Sequence, residues 1–79
     1  MKTYKLERYL NGELIYSKDA NELELLKEYF QIKEKLTYNA MAKYRINSLT
    51  YDSTGIIKTF DNSTTIGNNC KYRNIYTLI

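Results

Sequence analysis

The chain predicts an α+β fold: an antiparallel sheet with one helix packed on one face, in the order β-β-α-β-β-β. Three observations carry this. Residues 19–36, DANELELLKEYFQIKEKL, form the one stretch with a helical apolar period. Asn11-Gly12 sits between two alternating segments, the strongest short signal for a hairpin. Asp52-Ser53-Thr54-Gly55 divides two further β-prone runs, with Asp and Gly at the first and fourth positions that a type I turn favours.

On a helical projection Leu25, Leu26, Tyr29, Phe30, Ile32 and Leu36 gather on one half of the cylinder, with Leu23 at its edge. Glu24, Lys27, Glu28, Gln31, Glu34 and Lys35 occupy the other half. Asp19 or Asn21 can cap the start, each followed three residues later by Glu22 or Glu24. Early carboxylates and the later Lys33 and Lys35 suit the helix dipole. No Gly or Pro marks the end, so the helix is free to continue as far as residue 43. An apolar half this broad fits a helix laid across a sheet.

Residues 3–17 read as the first hairpin. A three-residue loop with Gly12 at a bulge places Tyr4, Leu6, Leu14 and Tyr16 on one face, against Lys5, Glu7, Tyr9, Glu13 and Ile15 on the other. A two-residue loop segregates these residues less well, so the bulged turn is expected. Residues 44–60 read as the second hairpin, with a break in alternation near Asn47-Ser48 that asks for a bulge. The polar residues 61–69 read as loop and residues 70–78 as a final strand. Its uncharged end, NIYTLI, is hazardous on an exposed edge. It belongs in the centre of the sheet or in an edge-to-edge pairing, such as a homodimer.

Seventy-nine residues suffice for one small domain that buries roughly 60% of its unfolded surface. No apolar run approaches the length of about 18 residues that spans a bilayer, and the opening MKTYKLERYL is too polar for a signal peptide. A single Cys70 allows no internal disulfide, so a reducing cytoplasm is expected, the host's if the gene is a phage's. Nine Tyr, nine Lys, eight Asn and eight Ile, with no Pro or Val, are the mark of AT-rich coding. Small chains of that bias are frequent in phages and mobile elements.

Catalysis finds little support. Without His there is no common general base and no partner to activate Cys70, which reads as a small half-buried thiol. No spacing suits a metal, no Gly-rich loop suits a phosphate, and no cofactor is implied. Glu24 and Glu28 fall on the solvent half of the helix, where carboxylates serve solubility.

Charge placement says more. Residues 19–36 carry three cations and five anions, whereas the strand segments carry nine cations and four anions. Lys43-Tyr44-Arg45 recurs as Lys71-Tyr72-Arg73. In a strand each triplet sends its cations to one face and its Tyr to the other. Four cations thereby project from the open sheet, joined by Lys58, while Tyr44 and Tyr72 pack beneath the helix. That parity counts against RNA-type recognition, which needs aromatic rings among the cations. Tyr9, Tyr38, Tyr51 and Tyr76 are the exposed aromatic candidates.

The expectation is a small non-enzymatic protein-binding module, an accessory or inhibitor protein of a phage or mobile element acting on a host macromolecule. Its binding residues are Lys43, Arg45, Lys58, Lys71 and Arg73 with the exposed tyrosines. Nucleic-acid binding through the same cations is the first alternative, and a structural homo-oligomer is the second.

Overall fold

The computed structural model describes residues 2–38 and 42–79, the last two helical residues by their backbone alone. Five antiparallel strands form one sheet: β1 (Thr3–Leu10), β2 (Glu13–Asn21), β3 (Ala42–Tyr51), β4 (Ile57–Ile66) and β5 (Cys70–Leu78). A helix, α1 (Glu22–Tyr38), separates β2 from β3. The strand order is β2-β1-β5-β4-β3. The expected α+β architecture is therefore the observed one. None of the described helical residues forms a span long and apolar enough to cross a membrane.

The two edge strands are sequence neighbours of the helix, which touches both and so crosses the whole sheet. Asn21 is its cap, with the Glu24 amide donating to Asn21 Oδ1 at 2.8 Å. Asp19 and Ala20, expected to open the helix, belong instead to β2. Ala20 lies opposite Tyr4 and is buried, and Asn21 lies opposite Thr3, so pairing prolongs the strand up to the cap itself.

The first turn corrects the expected register. Leu10 faces Glu13 across a two-residue Asn11-Gly12 loop, whose positive φ values of 49° and 86° suit a hairpin turn that follows strand twist. The bulge exists but falls one step further on. Tyr9 faces Leu14 and Arg8 faces Tyr16, leaving Ile15 as the extra residue. Leu14 is thereby turned to the face opposite Tyr4 and Leu6. The parity change lets Ala20 join Tyr4 in the core, which a bulge at the turn would equally have done at the cost of the better turn.

The second hairpin has the expected turn. Gly55 N donates to Asp52 O at 3.2 Å, and Asp52 Oδ1 accepts from the amides of Thr54 and Ile56. The bulge near Asn47 is present, since Ile46 pairs with Asn62 and Ser48 with Asp61. The largest difference is in β4. Asp61 to Ile66, expected as loop, is strand, hydrogen-bonded to β3 on one side and β5 on the other. Asp61 and Asn62 are of types depleted in strands, but a central position with two partners outweighs that.

β5 lies between β1 and β4, so its apolar end is shielded by partners within the chain. An edge-to-edge homodimer through this strand has no free edge to use. The core forms on the helix-covered face from Tyr4, Leu6, Ala20, Leu25, Ile32, Phe60 and Tyr76. Phe60 is fully buried, edge-on to Tyr29 and stacked on Tyr76. The inward stripe of the helix is narrower than the projection suggested. Phe30, Leu36 and Leu23 are exposed, because one cylinder resting on a sheet presents only a quarter of its surface to it.

Candidate binding face

The register assembles the uncovered face. Lys43, Thr65 and Lys71 lie side by side across β3, β4 and β5. In the next row but one along the strands, Arg45, Ser63 and Arg73 do the same, and Tyr9 continues that row on β1. The four expected cations thus share one face, while Tyr44 packs on the core and Tyr72 is half-buried on the covered side. They line an open groove of about 1070 Å³ together with Tyr9, Asn47, Ser63, Thr65 and Tyr72.

The other expected residues separate from these. Lys58 is exposed but lies at the far end of β4, skipped by the register irregularity between Thr50 and Tyr51. Tyr51 is exposed at that same end, opposite Ile57 and away from the groove. Tyr76, expected at the surface, is only 3% exposed, because it stands beside Leu6 and Phe60 on the covered face. Tyr38 lies outside the described side chains.

One residue beside the groove was not anticipated in any role there. Asp61 lies nearly buried on the open face and is clamped by Arg73, with Nε to Oδ1 at 3.0 Å and Nη2 to Oδ2 at 2.5 Å. Asn47, at the bulge of β3, donates to Asp61 Oδ1 at 3.1 Å and to Ser63 Oγ at 2.5 Å. Burial pushes the Asp61 carboxyl up, but hydrogen bonds from Arg73 and Asn47 and the guanidinium charge outweigh it and hold it below its ordinary value. Asp61 is therefore a fixed acceptor, and it subtracts one charge from the basic face. The sole cue in the sequence was Thr64-Thr65-Ile66, a β-prone end to a stretch otherwise read as loop.

A second polar cluster lies beneath the helix. Glu28, expected on the solvent half, is half-buried and accepts from Asn62 Nδ2 and Asn74 Nδ2, each at 3.3 Å. Asn74 also donates to Asn62 Oδ1 at 3.3 Å and accepts from Arg8 Nε at 2.7 Å. Burial, and after it the neighbouring Glu28 carboxylate, raises the Tyr76 phenol well above its usual range. Every described buried polar side-chain atom has a partner, so the buried part of this cluster is internally satisfied. Among the described residues no group of His, Cys, Asp or Glu is arranged to hold a metal ion.

Compared with known protein families, curated proteins and solved structures, the chain matches none of them.

Proposed function

We propose that this protein is a non-enzymatic binding module whose open sheet face docks on an acidic surface of a protein partner. The observation that supports this is the union of Lys43, Arg45, Lys71 and Arg73 in two rows on a face the helix leaves bare. Cations held on a rigid sheet select a partner by charge complementarity and speed its arrival. Tyr9, beside Arg73, adds contact area at small entropic cost. An accessory or inhibitor protein needs nothing more, since it acts by occupying a surface.

Nucleic acid is the second reading, favoured by the placement of Tyr9 on the same face as the four cations. Against it stands the charge that Asp61 removes from that face by pairing with Arg73. One pair of measurements separates the two. A polypeptide retained from lysate by the native chain and lost by a Lys43→Glu/Lys71→Glu variant is expected. Anisotropy of labelled single- and double-stranded oligonucleotides at low salt is expected to show no binding. Tight oligonucleotide binding that weakens steeply with salt would replace the first reading by the second.

A further inference from the structure

The sheet ends at β3, which pairs with β4 on one side only. Among the described residues, the β3 backbone from Lys43 to Tyr51 makes no hydrogen bond outside that pairing, so alternate N–H and C=O groups point outward. The cations of the basic face divide in a similar way. Arg73 is held by Asp61, whereas Lys43 and Arg45 on β3 are exposed and form no ion pair with a described residue. Alternation then sorts the edge. Lys43 and Arg45, about 7 Å apart along the strand, face the open side. Tyr44 and Ile46 face the covered side, half-buried against the core. Lys35, near the helix end, stands 5.0 Å from the centre of the Tyr44 ring, and its neighbour Leu36 is 51% exposed. The edge is therefore cationic on one side and apolar on the other, up to the bulge that Asn47 ties to Asp61 and Ser63.

Resting on the reading of this face as a protein-docking surface, we propose that the partner adds a strand to the free edge of β3, from an extended segment in which acidic and apolar residues alternate. Such a strand lies about 4.8 Å from β3, and its same-face side chains repeat about every 7 Å, the spacing of Lys43 and Arg45. Carboxylates on its open side meet both cations. The apolar residues between them fall beside Tyr44 and Ile46, and the outward N–H and C=O groups complete the ladder. An acidic helix satisfies none of those groups, because its own backbone is already paired. The other edge of the sheet lacks the charge. β2 turns Leu14, Ser17 and Asp19 to the open face, and its one cation, Lys18, is paired with Glu24.

The test uses a capped peptide of alternating Glu and Val with two controls. One control has the same composition with Glu and Val in separate blocks. The other is the alternating peptide N-methylated at two adjacent central residues, which removes a backbone donor towards each of its edges. Losing ladder hydrogen bonds or the match of side chains should weaken each control by about tenfold in Kd. With the alternating peptide bound, the outward amides of residues 43–46 should gain protection from hydrogen exchange. Lys43→Glu/Arg45→Glu, checked for native circular dichroism, should abolish its binding. Equal binding of either control would overturn strand addition while leaving docking on an acidic protein intact. Binding of none of the peptides overturns strand addition, and binding of oligothymidine in their place would overturn protein docking as well.

Discussion

The two faces of this sheet each hold a polar cluster around a carboxylate, and the two clusters are built from different chemistry. Under the helix, Glu28 is served by Asn62 and Asn74, neutral amides that need no exposure to water. On the open face, Asp61 is served by Arg73, whose side chain remains 54% exposed while the carboxylate is 12% exposed. The first cluster bridges helix to sheet and joins a core around Phe60. The second ties neighbouring strands together and leaves Lys43, Arg45 and Lys71 exposed beside it. A sheet this small uses amides where it must be sealed and an ion pair where it stays wet.

The sharpest way to break this comparison is to damage the sealed side. Phe60→Ala removes a ring packed between Tyr29 and Tyr76 and should cost about 3–5 kcal/mol, most of the stability of a domain this size. Urea denaturation measures it. A loss below about 1 kcal/mol would show that the covered face is not the seat of the core. Next in size is Asn62→Ala, which leaves Glu28 and Asn74 each short of a partner and should cost about 2 kcal/mol. A double-mutant cycle with Glu28→Ala should find the two losses strongly non-additive; simple addition would sever the network.

The smallest expected effect sharpens the wet side. Arg73→Ala strands a nearly buried carboxylate and should cost about 1–2 kcal/mol, whereas Asp61→Ala merely frees an exposed guanidinium and should cost less. The same pair sets a pH dependence. Because the folded carboxyl is held below its ordinary value of 3.8, Asp61 contributes stability above that value and loses it as pH falls through the depressed one. Thermal denaturation between pH 6 and pH 2 should show this acid limb flattened in Asp61→Asn. An unchanged limb would mean that other carboxylates carry it.

How far the sequence reached differs between the faces. The paired Lys-Tyr-Arg triplets placed four cations on one side of the sheet, since alternation in a strand is a local property. That Asp61 joins them was hidden in a stretch whose composition favours loop, because pairing with β3 and β5, and not propensity, makes it a strand. Tyr76 was misjudged for a similar reason. Its neighbours Leu6 and Phe60 are distant in sequence, so nothing nearby reveals that it is buried.

The chain by itself determined the number and order of its elements, the places of both hairpin turns, the need for a bulge near Asn47 and the sidedness of its basic triplets. These follow from dihedral preference and side-chain period, which act over a few residues. Only the tertiary structure decided that β5 lies at the centre, that the first bulge falls at Ile15, that Glu28 turns inward and that Asp61 clamps Arg73. Each of those depends on which distant strand becomes a neighbour, a choice made by burying apolar area and pairing backbone across the whole sheet.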